Sequence, residues 1–308
     1  MIKSAVITGA SGMLGQALIR YLAKLNIRTL AIVRPGSARN EILFQQDCVK
    51  VVECDLSDLL CLQDMLTDTY DAFFHFGWSG TFGTSRNDFY GQNENVRYTL
   101  DAVELARRLQ CKVFLGAGSQ AEYGRVGNRK LSGDLPAFPE NGYGMAKLCA
   151  GQMSRLLCRE YGIRHVWTRI LSVYGPGDKP HTMVMSGIYA MLRGERPAYT
   201  KGEQLWDYLH CDDAARAFYL AAEKGKDGAV YCIGSGNARP LKTYIEEIKN
   251  AIDPGIQIQF GAIPYQEKQV MYLCADIDDL KKDTGFLPEI TFEEGIKSTV
   301  AWCKGELE

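Results

Sequence analysis

Tyr143 and Lys147 stand four positions apart in the stretch Asn141–Met153, NGYGMAKLCAGQM. On a helix that spacing sets both side chains on one face. A neighbouring ammonium lowers a phenol from its ordinary pKa of about 10 toward working pH. Such a tyrosine passes a proton to or from a substrate oxygen. The same spacing also occurs on ordinary exposed helices, so the chemistry depends on what else the chain carries. A second feature is VITGASGMLGQAL, where Gly9, Gly12 and Gly15 recur every three residues. Glycines let the backbone N–H groups of such a turn, here at Ser11, Gly12, Met13 and Leu14, approach a pyrophosphate at the positive end of a helix. A tight strand-to-helix turn asks for glycine without any ligand. The strand-like run before and the amphipathic run after favour dinucleotide binding.

The elements that must position these residues alternate along the first half. Strand-like runs are expected at 4–8, 28–33, 49–54, 71–76, 112–118 and 165–171, and helices at 13–25, 57–67, 88–109 and 144–161. Strands alternating with helices at this spacing predict an α/β fold, a doubly wound parallel sheet of Rossmann type. Beyond residue 175 turn signals such as YGPGDKP and GSGNARP separate shorter elements. The reading is a dinucleotide-binding domain over 1–175. A smaller C-terminal substrate lobe follows over 176–308, with some segments returning to the first domain.

Bulk properties narrow the function. The chain has 308 residues, 46% hydrophobic and 23% charged, with net charge −2. That composition suits a globular protein with a large core. The near-neutral charge and scattered basic residues give no support to nucleic-acid binding. There are ten cysteines and four histidines. No Cys-x-x-Cys occurs and no histidine sits at metal-ligand spacing, so no metal is expected. Cysteines in apolar runs, such as Cys232 in AVYCI, read as reduced thiols. No signal-peptide pattern and no apolar run of membrane length is present, so a soluble cytoplasmic protein is expected.

The three-residue glycine spacing, TGxxGxxG, resembles the extended branch of the short-chain dehydrogenase/reductase superfamily, the NAD(P)-dependent nucleotide-sugar epimerases and dehydratases. Further motifs in the same order are similar to that family. They are Asp55-Leu56 after the third strand, His75-Phe76-Gly77-Trp78 after the fourth, Asn95-Val96 in the next helix, and GSQAEYG after the fifth strand. RILSVYGPG, WDYLHCDDAARAF and the tail DDLKKDTGFLPEITFEEGI follow. The resemblance implies that Ser119, four residues before Tyr123, acts with Tyr143 and Lys147. Ser119 would hydrogen-bond the reacting oxygen, and Lys147 would also hold the nicotinamide ribose. It assigns cofactor contacts to Gly9, Ser11, Gly12, Met13, Leu14, Gly15, Asp55, Leu56, Phe76, Gly77, Trp78 and Asn95, with Tyr143 and Lys147. Asp55 would serve equally as a helix cap. Gln120, Ser172 and Trp206 fall at substrate positions. The resemblance also implies a homodimer through the helices 88–109 and 144–161. Val96, Leu100, Val103 and Ala106 form an apolar stripe on the first of these, unless the domain's own sheet claims it.

Arg34, with Arg39 close behind, stands at the end of the second strand, where NAD-selective relatives place an acid. An arginine there suits a 2′-phosphate, so NADP is favoured and NAD stays open. Dehydratases of this family resemble one another in a Thr-Asp-Glu run, where this chain has Ser119-Gln120-Ala121, which argues against dehydration. Epimerisation and carbonyl reduction, with a 4-epimerase or 4-ketoreductase of a sugar nucleotide foremost, need only serine, tyrosine, lysine and cofactor. Ser172 and Trp206 replace two polar residues common in the family. Trp206 stacks on a ligand or packs the lobe, and Lys201, Arg239 and Lys268 could supply charge to a diphosphate, although surface solvation is the default reading of each. A reductase of a small non-nucleotide carbonyl compound and a non-catalytic cofactor-sensing regulator are the alternatives.

Overall fold

The computed structural model describes residues 1–44 and 48–307. Seven strands form one sheet: Ser4–Thr8, Arg28–Val33, Val49–Glu53, Ala72–His75, Val113–Ser119, Arg164–Ile170 and Ala229–Ile233. Across the sheet they run seventh, sixth, fifth, fourth, first, second, third, and every neighbouring pair is parallel. This is the expected doubly wound α/β sheet. Strands in such a sheet are covered on both faces, and the side-chain period of two sends neighbours to opposite cores. Ile7 and Phe74 pack with Leu18, Leu22 and Phe218 on one face. Val6 and Phe73 pack with Val103 and Phe114 on the other.

The helix Met13–Lys24 lies with Cys211–Lys224 on the first face, and Phe89–Arg108 lies with Gly142–Glu160 on the second. The strand order reverses between the first and fourth strands, which places a crevice at their carboxyl ends. The remaining elements form a smaller lobe. The helices Met183–Leu192, Leu241–Ile252 and Phe292–Gly305 pack around Tyr174, Tyr244 and Phe292. Within the second half, Cys211–Lys224 and Ala229–Ile233 rejoin the sheet.

Two expectations are corrected. The stretch 57–67 is not an α-helix; Leu56–Gln63 forms a 3-10 run capped by Asp55. Leu59 and Leu62 are buried and Leu56 packs beside them. That three-residue repeat fits a helix with three residues per turn. The stripe on Phe89–Arg108 faces inward. Val103 and Ala106 are buried in the sheet's core, and Val96 packs with Ala150 and Trp167. The outer apolar side chains of this helix pair are instead Phe89, Tyr90, Met145, Met153 and Leu156. Among the described residues no helix is long and apolar enough to cross a membrane, and all ten cysteines are free thiols.

Candidate active site

The glycine turn opens onto a cleft of about 1010 Å³ at the carboxyl ends of the strands. Gly9 has φ +67°, and a side chain there would bring Cβ within 2.7 Å of the Gly77 nitrogen. The first and fourth strand ends can therefore approach this closely only with glycine. Gly12 is the N-cap of Met13–Lys24, yet it supplies no side-chain acceptor, and the first turn carries no acid. The leading N–H groups of this helix lack a side-chain cap, and Ser11, Gly12, Met13 and Leu14 all line the cleft. An anionic diphosphate suits that end. A dinucleotide fits the residues present.

Ser119, Tyr143 and Lys147 are not among the described residues that line this cleft. Ser119 closes the fifth strand in extended backbone, with φ −151° and ψ 150°. Its Oγ accepts the Ala121 N–H at 3.2 Å. Tyr143 is the second residue of Gly142–Glu160. That helix start is fixed by Asn141 Oδ1, which accepts the Gly144 N–H at 2.9 Å, and by Asn87 Oδ1, which accepts the Gly142 N–H at 3.0 Å. Gly144 lets the helix abut the serine turn, since a Cβ there would lie 2.3 Å from the Ala121 carbonyl oxygen. The Ser119 side chain lies close enough to Tyr143 to pull the phenol's pKa down.

Lys147 follows one turn on and is only 3% exposed. Its Nζ donates to the Ala117 carbonyl at 2.5 Å and lies 3.6 Å from the centre of the Trp78 ring, against 5.8 Å from that of Tyr143. Burial pushes Lys147 down to about 7, with Glu122 pulling the other way. Burial also raises the Tyr143 phenol above its ordinary value, although the Ser119 side chain and the Arg86 charge pull it down. The phenol is thus raised where a neighbouring ammonium was expected to lower it. Desolvation, which disfavours the charged form of both groups, is the largest cause of each shift. His75, between Thr8 and Thr99, is held neutral because burial, and then Lys147, push it down to about 3.

The other sequence-predicted residues divide into two sets. Gly9, Gly15, Arg34, Asp55, Leu56, Phe76, Gly77 and Trp78 all line the cleft, as does Arg39. Arg34 and Arg39 are exposed. Asp55 also caps its helix, accepting the Ser57 N–H at 3.1 Å. Asn95 does not line the cleft. It is buried, takes the Ser79 N–H at 2.9 Å and donates to the Ser79 and Gly91 carbonyls, so it clamps the loop that carries Trp78. Gln120 follows Ser119 and is half-buried. Ser172 and Trp206 bind each other, with the indole N–H donating to Ser172 Oγ at 2.8 Å. Arg239 is held by Glu247 through two bonds of 2.9 and 2.8 Å.

A family model described as NAD dependent epimerase/dehydratase family matches residues 5–234. The chain belongs to this family. Its members are enzymes of the extended short-chain dehydrogenase/reductase superfamily. The chain is 26% identical to an uncharacterized protein of Methanocaldococcus jannaschii over 97% of its own length and 96% of the other's. It is 24% identical to dTDP-glucose 4,6-dehydratase of Escherichia coli, covering 96% of this chain and 92% of that one. It spans about half the length of a trifunctional UDP-sugar enzyme of Arabidopsis thaliana that it also matches. In fold it is similar to UDP-glucose 4-epimerase of Thermotoga maritima, solved with UDP-glucose, with TM-score 0.88 and 24% identity over 99% of this chain and 100% of that one.

For a chain of the epimerase/dehydratase family, the structure adds residues that the motifs did not indicate. Thr81, Phe82, Lys179 and His181 line the cleft and bridge its mouth. Lys179 Nζ donates to Thr81 Oγ1 at 2.7 Å, and the Phe82 and His181 rings lie 3.6 Å apart. Lys179 and His181 directly follow the YGPG turn, a signal that was available. Arg86 lies 4.7 Å above the Tyr143 ring, and no spacing pointed to it. Among the described residues, His210, Cys211 and Asp212 place their polar atoms within 4.8 Å of one another. Arg20 already occupies that corner, 2.8 Å from Asp212 Oδ1. His210 accepts the Asp212 N–H as a helix cap, so the cluster reads as a helix start rather than a metal centre.

Proposed function

We propose that this chain is an NADP(H)-dependent epimerase or 4-ketoreductase of a sugar nucleotide, working through Ser119, Tyr143 and Lys147. The observation that carries the reading is the buried Lys147, one turn after Tyr143, whose Nζ lies 3.6 Å from the centre of the Trp78 ring, a residue that lines the cleft opened by the uncapped glycine-turn helix. Tyr143 holds the proton exchanged with the substrate oxygen. The oxygen of Ser119 is occupied by the Ala121 N–H, so its own proton is free to donate to that same oxygen. Lys147 orients the nicotinamide ribose and supplies positive charge beside the phenol. When bound, the dinucleotide gives or takes the hydride at the same carbon.

Three observations support the finer assignments. Arg34 and Arg39 are exposed, line the cleft and are recorded in no ion pair among the described residues, which suits a 2′-phosphate. Dehydration is disfavoured because Gln120 and Ala121 carry no acid, and Glu122 is fully buried and engaged by Arg169. The sugar-nucleotide assignment rests on relatives named for dTDP-glucose and UDP-glucose. The mutual bond of Ser172 and Trp206, with Arg239 held by Glu247, leaves fewer polar groups for a diphosphate. That favours a small-carbonyl reductase as the second reading.

The chain functions as a homodimer through the outer face of Phe89–Arg108 and Gly142–Glu160, where Tyr90 is 90% exposed and Met145, Met153 and Leu156 are exposed as well. A monomer by light scattering at micromolar concentration would contradict this. The function is tested by calorimetry with UDP-, CDP-, GDP- and dTDP-sugars in the presence of NADPH. Binding of at least one is expected. Binding of none, with turnover of a simple ketone, moves the assignment to the second reading.

A further inference from the structure

One buried charge beside the site has no part in the chemistry described so far. Glu122 is fully buried at the foot of the Ser119 turn. Its Oε1 accepts the backbone N–H of Ser119 at 2.8 Å and the indole N–H of Trp167 at 3.0 Å. Its Oε2 accepts from Arg169 Nε at 2.7 Å. Trp167 and Arg169 belong to the sixth strand, so one carboxylate ties the end of the fifth strand to two residues of its neighbour. Arg169 is also fixed, its guanidinium lying 4.4 Å from the centre of the Tyr123 ring, while the Tyr123 hydroxyl donates to the Ser132 carbonyl at 2.6 Å. The Glu122 bond and the Ala121 bond therefore hold Ser119 at two points: its backbone N–H on Glu122, its Oγ on the Ala121 N–H.

We propose that Glu122 is a positioning residue of the active site, whose carboxylate fixes the Ser119 turn against the sixth strand and so aims the serine hydroxyl at the oxygen bonded to Tyr143. The proposal rests on the reading of Ser119 and Tyr143 given above. A buried carboxylate is expensive to keep, and a pair of this kind is often replaceable by apolar residues of similar volume without loss of stability. The geometry gives this one a use. It accepts the Ser119 N–H, and a displacement of about 1 Å in a reacting group can cost about a hundredfold in rate. Ala121, whose carbonyl meets the start of the Tyr143 helix at Gly144, lies inside the same turn. The turn that carries the serine therefore also touches the element that carries the tyrosine.

The test compares two charge-free pairs, Glu122→Leu with Arg169→Met and Glu122→Gln with Arg169→Met. Both remove the buried ion pair, but only glutamine keeps an acceptor for Ser119 and Trp167. NADPH oxidation is followed with UDP-, CDP-, GDP- and dTDP-linked 4-keto-6-deoxyhexoses as probes, and hydrogen exchange is followed by mass spectrometry over residues 117–123. The leucine pair is expected to lose about 10- to 100-fold in kcat with KM and NADPH affinity within about threefold, and to exchange faster at the turn. The glutamine pair is expected to recover most of both losses. Equal kcat and equal exchange in the two pairs would overturn the proposal. So would a leucine pair that fails to fold where the glutamine pair folds, because Glu122 would then serve the fold alone. Tyr143→Phe in the same assay keeps the two readings apart. If it turns over normally, the serine–tyrosine assignment falls, while the exchange data still report whether Glu122 holds the turn.

Discussion

The Ser119–Tyr143–Lys147 cluster and the cleft at the glycine turn are built on opposite plans. Around Ser119, Tyr143 and Lys147 the side chains already rest on protein groups. Ser119 is engaged by Ala121 and Glu122 and Lys147 by Ala117 and Trp78, while the Tyr143 ring lies beneath Arg86. In the cleft, Arg34 and Arg39 project, exposed, from the segment after the second strand. The first plan fits chemistry, where groups must be placed before the ligand arrives. The second fits binding, where the ligand supplies the counter-charge. Breaking the first should damage rate, and breaking the second should damage affinity.

The largest effect belongs to Tyr143→Phe. Removing the one phenolic proton should lower kcat by about 10²–10⁴-fold while NADPH affinity stays nearly unchanged. Steady-state kinetics beside a fluorescence titration separates the two. Near-normal turnover on the proper substrate would remove Tyr143 from the chemistry.

Lys147 shows that pre-placing groups has a cost in stability. An ordinary lysine keeps its proton to about pH 10.4, whereas burial brings Lys147 down to about 7. Between those values the unfolded chain binds more protons than the folded one, so stability rises with pH across that window. Below it, the folded state carries a buried ammonium. Lys147→Met removes the group. Its stability relative to the parent should be highest below about pH 7 and should decline by a few kcal/mol as pH rises toward about 10. Urea unfolding at several pH values measures this, and a difference independent of pH would mean that Lys147 is not perturbed by its burial.

At the binding end, Arg34→Ala should weaken NADPH more than NADH. A hydrogen bond to a charged group is worth about 1.5–3 kcal/mol, or about tenfold or more in affinity. Titration of both cofactors decides it. Equal losses would leave Arg34 as a solvated loop residue.

The same contrast explains what the sequence made legible. Six strands of the sheet and the helix that carries Tyr143 and Lys147 could be read, because buried parallel strands appear as apolar runs and helix starts carry glycine or asparagine signals. The seventh strand, Ala229–Ile233, was not read as part of the sheet, because its partner Arg164–Ile170 lies 59 or more residues away and no local pattern records that pairing. Asn95 illustrates the limit for individual residues. Its position in a motif was visible, but its bonds to the Ser79 loop depend on tertiary packing. Leu56–Gln63 fell between periods, since leucines three apart serve an α-helix and a 3-10 run alike.

The smallest effect tests the wall of the substrate lobe. Trp206 packs between two cores, and its indole N–H meets Ser172 Oγ at 2.8 Å. If that bond is what the two unusual residues share, their mutation energies should not add. Trp206→Phe and Ser172→Ala should each cost about 0.5–1.5 kcal/mol in stability, with the double variant costing less than their sum by about 1 kcal/mol. Denaturant unfolding of the four proteins completes the cycle. Strict additivity would mean that the indole and the hydroxyl meet without stabilising each other. Both groups would then be free to turn toward a diphosphate, which would strengthen the sugar-nucleotide reading over the small-carbonyl one.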